Sequence, residues 1–400
     1  MAFGCAWYTL SPVARAVVPP PDGFYPGFNT AEGQNALFSL TTGSANTAVG
    51  WFSLWGNAEG SFNTATGAGT LLFNTADENT AFGAAALLFN TTGAGNTAVG
   101  AAALLNNTEG SSNTATGNSA LFSNTAGSGN TANGAFALFS NSIGSGNTAN
   151  GLQALFSNTG TANTANGYQA LFSNTGTDNT ANGYQALFSN TTGNDNTADG
   201  REALSFNTTG SSDIALGAQA GIGVTTASNV ICIGAGGQNV SNSCYIGQIF
   251  GVTSSGGTAV FIDATGRLGT ATSSRRFKEE IKPMERASEA LFALKPITFR
   301  YKKGIDPLGV PQFGLVAEDV EEVNPDLVVR DREGKVNTVR YEAVNAMLLN
   351  EFLKEHRKVE KLQAELEAVN DRLKEQEAKM DKVSAHLELN KRAQRTLASK

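Results

Sequence analysis

Positive charge is almost missing from the first two thirds of this 400-residue chain. Residues 1–272 hold 3 Lys or Arg against 12 Asp or Glu, a net charge of −9, whereas residues 273–400 hold 25 against 23, net +2. Phosphate binding needs clustered Lys and Arg, so nucleic acid is excluded as a partner of the first part; sugars, cell surfaces and other proteins remain as partner classes. Long apolar runs are absent too. No stretch of 18 or more apolar residues occurs, which argues against a membrane-spanning helix. Cysteine is scarce: Cys5, Cys232 and Cys244 have no paired spacing of the kind zinc sites use. Cys232 and Cys244 sit in the apolar phrases VICIG and CYIG, where a thiol packs as a small hydrophobe; a disulfide between them is the alternative in an oxidising compartment. No GGxGxD phrase appears, so a calcium-binding solenoid is disfavoured. No metal and no cofactor is implied.

What the chain has in abundance is one phrase. NTAxG or a near copy begins at residues 29, 46, 63, 79, 96, 113, 130, 147, 163, 179, 196 and 213, with a degenerate thirteenth copy at Asn229. The period is 16 or 17 residues. A unit this short closes no hydrophobic core by itself, and its apolar positions become buried only when the next copy stacks on it. The Ala of NTA and the Ala-Leu-Phe of QALFS lie in runs too short for helices and are expected to form short strands. The Gly after each NTAx falls where a coil must turn, and Gly takes φ > 0 there without steric cost. In-register Asn can stack as a hydrogen-bonded ladder. Thirteen coils about 4.8 Å apart make a rod on the order of 60 Å long. Each coil offers little more than one Leu and one Phe as large apolar side chains, so the rod is expected to pack against copies of itself.

These repeats, over residues 29 to about 234, resemble the head repeats of trimeric autotransporter adhesins. That resemblance implies left-handed parallel β-rolls assembled as trimers.

At the N-terminus, Ala14-Arg15-Ala16 before VVPPPDG has the small-x-small form of a secretory cleavage site and is expected to be a signal-peptide remnant. Pro19 to Pro21 then form a stiff spacer. After the last coil, SNSCYIGQIFGVTSSGGTAVFIDATGRLGT alternates small, polar and β-branched residues, as expected for strands and turns closing the stack. From Thr272 the character changes to a charged segment, TSSRRFKEEIKPMERASEALFALKPITFRYKKG, expected to be an amphipathic helix and then a strand. From Tyr341 onward no Gly or Pro interrupts a helical pattern. Its core positions are Leu348, Phe352, Glu355, Val359, Leu362, Leu366, Val369, Leu373, Gln376, Met380, Val383 and Leu387, a heptad seam. The expected organisation is an N-terminal segment (1–28), β-roll repeats (29–234), a β connector (235–272), a small α+β domain (273–340) and a long coiled-coil helix (341–400). The fold class is mainly β.

The run Ser273-Ser274-Arg275-Arg276-Phe277-Lys278, with GLVAEDVEEVNPDLVV at 314–329 and VRYEAVNAMLLNEFLKEH at 339–356, resembles the intramolecular chaperone auto-processing domain. That domain ends endosialidase-type phage tailspikes and related fibres and also occurs in the myelin regulatory factor group. The resemblance covers residues 273 to about 360. It implies a trimer, and a single-turnover Ser-Lys dyad that cuts its own chain: Ser273 as nucleophile, Lys278 as base, and Thr272-Ser273 as the scissile bond. A serine hydroxyl attacks only when a base takes its proton, and a lysine does this only when neutral. Such a dyad calls for a water-poor pocket around Lys278, which Phe277 and the LFAL segment are expected to help build. The family often has an acidic residue after the nucleophile; here it is Ser274. The same residues also read as a helix N-cap, Ser273 or Ser274, with Glu279 and Glu280 near the positive end of the helix dipole.

Two functions fit. One is a trimeric surface or secreted fibre, adhesin-like or tail-fibre-like, whose C-terminal chaperone drives assembly and then cleaves itself. The alternative is a non-cleaving repeat fibre whose C-terminal domain only trimerises. Either is extracellular, on a cell surface or on a phage virion, and its rod meets a host-surface glycan or protein.

Overall fold

A computed structural model describes residues 26–398, with side chains through 393. The signal-peptide remnant, the proline spacer and Cys5 lie outside the described residues. The chain divides into two compact units, Met1–Thr253 and Ser254–Lys400.

In the first unit every NTAx phrase supplies a three-residue strand, from Thr30–Glu32 through Thr197–Asp199, and the later copies Ile214–Leu216, Val230–Ile233 and Ser243–Ile246 continue the series. These form one 14-stranded parallel sheet in sequence order. Its register never slips: Thr30 pairs with Thr47, Ala31 with Ala48, and the same Thr-Thr and Ala-Ala partnering holds through Thr180 and Thr197. Period-two alternation turns the central Ala of each strand inward, where it is buried, while Thr and the x residue face out. The stack is a parallel β-solenoid of 16–17-residue coils. It runs on past residue 234 through Ser243–Ile246.

The Ala-Leu-Phe run departs from expectation. It is a chain of tight turns, with strand only at Ser157–Asn158 and Ser173–Asn174. The reason is packing. A strand sends neighbouring side chains to opposite faces, yet Ala154 and Leu155, like their equivalents, are both fully buried. The chain achieves this by placing each Leu in the left-handed region, φ 51° at Leu71 and 50° at Leu155. Left-handed backbone costs a non-glycine residue about 1–2 kcal/mol, and full burial of a Leu side chain returns about 1.5–3 kcal/mol. The Gly after each NTAx behaves as expected: Gly67 through Gly200 have φ near 130°. A Cβ at Gly167 would lie 2.4 Å from the carbonyl oxygen of Gly183, so the coils approach too closely for any side chain there.

Two columns of buried asparagine complete the core. In the first, each NTA asparagine accepts the backbone N–H of the next on Oδ1, as Asn163 does from Asn179 at 3.0 Å, and donates Nδ2 to a carbonyl of the following coil, Gly176 O at 2.9 Å. The second column runs through Asn90, Asn107, Asn124, Asn141, Asn158 and Asn174, linked Nδ2 to Oδ1 at 2.7–3.0 Å. Buried amides stabilise only when fully paired, and here the repeat pairs them by symmetry. The phenylalanines lie outside this core: Phe122, Phe139, Phe156, Phe172 and Phe188 stack as a half-buried surface ladder with ring centres 5.0–5.3 Å apart.

The cysteines part company at the end of the stack. Cys232 is buried and Cys244 exposed, and both are free. Cys244 pairs in register with Ile231, and Cys232 with Tyr245, so the two thiols point to opposite faces of the sheet. Cys232 packs as a small hydrophobe; Cys244 does not, and period two rules out the disulfide.

The second unit opens with a hairpin, Val260–Ile262 against Leu268–Thr270, whose turn Asp263 ties by accepting from the Thr265 and Arg267 N–H groups. A single turn, Arg275–Phe277, and a 3₁₀ segment, Glu285–Ala293, follow where one amphipathic helix was expected. Strands Ile297–Phe299 and Gln312–Gly314 pair antiparallel, as do Val328–Arg330 and Val336–Val339. Helix α1 is Ala317–Val323 and helix α2 is Tyr341–Ala398. Val320, Leu327, Val339, Val344 and Met347 form the small core, with Met284, Leu291, Leu294 and Leu315 against it. Glu318 and Asp319 lie on the solvated face of α1. Along α2, about 87 Å of helix at 1.5 Å per residue, the apolar heptad positions from Leu348 to Leu387 are all exposed. Among the described residues, no helix is long and apolar enough to cross a membrane.

Candidate functional site

The segment between Thr270, the end of the hairpin, and Arg275 has no regular structure, and Thr272, Ser273 and Ser274 are exposed. The single turn that follows reverses the chain: the Phe277 N–H donates to Ser274 O at 3.0 Å and the Lys278 N–H to Arg275 O at 3.1 Å. This reversal brings the Lys278 side chain back to Ser273, and Nζ lies 3.0 Å from Oγ. The peptide bond N-terminal to Ser273 is therefore presented on an open, irregular segment beside a hydroxyl and an amine in hydrogen-bond contact. That is the contact a nucleophile and its base require.

The N-cap reading fares less well. Ser274 stands at the N-cap position of the turn without a side-chain capping bond, and Glu279 and Glu280 follow the turn rather than open it. The expected apolar enclosure is absent from a single chain. Lys278 and Ser273 are exposed, as are Phe277 and Phe292, and Phe277 is covered on one face by the Arg276 guanidinium, 4.5 Å from its ring centre. The LFAL segment turns Leu291 and Leu294 to the unit's own core instead.

A second polar cluster was not foreseen. Ser288, fully buried in the 3₁₀ segment, meets Asn350, Glu351 and Lys354 on successive turns of α2. Asn350 Nδ2 donates to Ser288 Oγ at 2.6 Å, and Lys354 Nζ donates to Glu351 Oε1 at 2.6 Å. The Lys354 ammonium, and then the Ser288 hydroxyl, hold the Glu351 carboxyl below the usual carboxylate range. A burial this complete keeps Ser288 from any substrate. The cluster pins the start of the long helix to the segment that follows the Ser273–Lys278 turn. Nothing in the sequence signals it, because its members are 62 to 66 residues apart.

Residues 273–329 match the family model Peptidase_S74, described as the chaperone of endosialidase. The match begins at Ser273. No curated protein and no solved structure matches the chain.

Proposed function

We propose that three copies of this chain assemble into a fibre, that the C-terminal unit acts as the intramolecular chaperone of that assembly, and that it then cuts the chain once between Thr272 and Ser273. The observation that carries the cleavage is the 3.0 Å contact between Lys278 Nζ and Ser273 Oγ at the first residue of the family match. Neutral Lys278 takes the Ser273 hydroxyl proton as Oγ attacks the Thr272 carbonyl carbon. The Thr272–Ser273 C–N bond breaks, the proton passes to the leaving Ser273 amine, and an ester joins Thr272 to Ser273 Oγ. Water then hydrolyses the ester, leaving a Thr272 carboxylate and the Ser273 hydroxyl.

Assembly follows from what a single chain leaves uncovered. The exposed heptad seam of α2 supports helix pairing, and the resemblance of both parts of the chain supports three strands. In the rod, the outer face of the long sheet exposes apolar side chains near its two ends, Val49, Phe82 and Val99 in the early coils and Ile214, Leu216, Ile231 and Ile233 in the late ones, with Thr116 through Asp199 polar between them. This supports lateral packing of rods at those ends of the face. The fibre stands outside the cell, on a cell surface or a phage virion, and its rod meets a surface glycan or protein.

The exposure of Ser273 and Lys278 favours a second reading, in which the unit trimerises without cleaving. Expression of the wild type beside Ser273→Ala and Lys278→Ala, with fragments weighed by mass spectrometry, separates the two. The expected result is two fragments, 1–272 and 273–400, from the wild type alone. A wild-type chain that folds, trimerises and stays intact leaves only the second reading.

A further inference from the structure

One residue further along each coil than the Phe122–Phe188 ladder runs a second outward column, and a pair of rings in it borders a groove. Two positions after the buried Leu of each coil, the side chain faces out; in successive coils it is Ser39, Gly56, Phe73, Phe89, Asn106, Ser123 and Ser140. Phe73 and Phe89 stack at 5.8 Å and 6°. The next rung is Asn106, so the Phe89 face on that side has no ring against it. Phe73, Phe89, Thr91, Asn106, Thr108, Ser123 and Thr125 line an open, shallow groove of about 500 Å³, a volume within the range of small-molecule sites.

The lining has a definite chemistry. Phe73 and Phe89 are 41% and 42% exposed. Thr91, Thr108 and Thr125 each donate their hydroxyl proton to a carbonyl of the following coil, at 2.9, 3.0 and 3.0 Å, which fixes their oxygens as acceptors. Among the described residues the Asn106 amide and the Ser123 hydroxyl have no side-chain hydrogen-bond partner, and both can serve as donors and as acceptors. None of the seven residues carries a charge, so nothing in the groove compensates a phosphate, carboxylate or ammonium group.

We propose that this groove binds a neutral saccharide, one pyranose laying its C–H face on Phe89 and turning its hydroxyls to Asn106, Ser123 and the threonine column. The inference rests on reading the rod as the contact-making part of the fibre. The groove lies on the wall of the threonine column rather than on the outer face of the long sheet, so lateral packing through that sheet leaves it open.

The test uses full-length assembled protein on a panel of neutral gluco-, galacto- and manno-configured oligosaccharides, with sialylated oligosaccharides as charged comparators. Binding to a neutral member is expected, weakened at least about tenfold by Phe89→Ala and by Asn106→Ala. Because Phe89→Ala removes a stacking partner, Asn106→Phe serves as the second variant: it continues the ring ladder, fills the groove, and should abolish binding with no loss of thermal midpoint. No binding on the panel, binding confined to the sialylated members, or equal binding by wild type and Asn106→Phe overturns the proposal. Sedimentation and fragment masses on the same samples keep the outcomes apart. Loss of assembly counts against the fibre reading, whereas intact assembly without saccharide binding counts against this groove alone.

Discussion

Asn196 Oδ1 accepts the backbone N–H of Asp213 at 2.9 Å, and there the first asparagine column changes chemistry. Asn196 itself donates Nδ2 to the carbonyl fourteen residues on, Gly210 O, at 2.9 Å. Asp213 has an oxygen in that place. Its Oδ1 accepts from the Val230 N–H at 2.8 Å, but its fully buried Oδ2 has no hydrogen-bond partner. Only a protonated carboxyl can give the corresponding carbonyl, Ala227 O, the hydrogen that an asparagine gives.

Burial accordingly pushes the Asp213 carboxyl up from 3.8 to about 6, against the opposing pull of the Val230 N–H. Cys232 is the titratable neighbour, its thiol itself pushed up by burial and by Asp213. Below pH about 4 the carboxyl is protonated in folded and unfolded chains alike. Between about 4 and 6 the folded chain keeps a proton that the unfolded chain has released, so stability falls as pH rises; above that the deficit is constant, on the order of 3 kcal/mol. Asp213→Asn should restore the column and remove this slope. Thermal midpoints of both proteins from pH 4 to 8 check it, and parallel curves would reject the assignment.

The glycine column predicts a contrast between two identical substitutions. Gly167 has φ 135° and its missing Cβ would lie 2.4 Å from Gly183 O, whereas Gly234, at the same repeat position in a late coil, has φ 57° and open space around it. Gly234→Ala should cost about 1 kcal/mol for the left-handed backbone alone. Gly167→Ala must push two coils apart and should cost more than about 2 kcal/mol. Denaturant midpoints of the two variants give the comparison; equal losses would mean that the coils give way easily.

Much of the rod was legible because its period is a physical constraint. Any side chain that recurs every 16 or 17 residues stacks on itself, so the inward Ala, the turn Gly and the first asparagine column follow from spacing. The left-handed Leu was hidden, since adjacent Ala and Leu read as a strand until one asks how both can face inward. The Cys244 position was hidden for the same reason: its apolar phrase is real, but one step of register sends the thiol out. At the candidate site the five-residue interval from Ser273 to Lys278 was visible, and the fold brings the two together by one turn rather than by the amphipathic helix expected. The Ser288 cluster joins segments more than 60 residues apart, a relation no local pattern encodes.

Replacing one asparagine should expose how far the rod depends on its amides. Asn163 donates to Asn147 Oδ1 and Gly176 O, and accepts from the backbone and side chain of Asn179. Asn163→Ala leaves the Asn179 N–H buried without this partner, at about 1–3 kcal/mol, while Gly176 O keeps the Asn174 Nδ2 at 2.8 Å. Surface Asn166→Ala, which breaks only a half-buried amide pair on each side, should cost under about 1 kcal/mol. Hydrogen exchange of the amides on either side of each substitution reads the difference locally, and similar protection in both variants would refute it.

The long helix supplies the last expectation. Val359, Leu362, Leu366, Val369 and Leu373 are exposed along one seam of a single chain, and burying each against partner helices is worth about 1.5–3 kcal/mol. Leu362→Asp with Leu366→Asp puts four or six carboxylates into the seam of a dimer or trimer, where like charges meet without water. Sedimentation should move from trimer to monomer, whereas Lys361→Asp, on the solvated flank, should leave it unchanged. The rod tests the coupling. Its coils bury one Leu each beside alanines and amides, so if neighbouring rods supply further apolar contact, the double variant should also lower the unfolding temperature of coils more than 100 residues away. A rod that keeps its wild-type midpoint in the monomeric variant would show that the amide columns suffice alone, and that the helix gathers chains without being needed to hold the solenoid together.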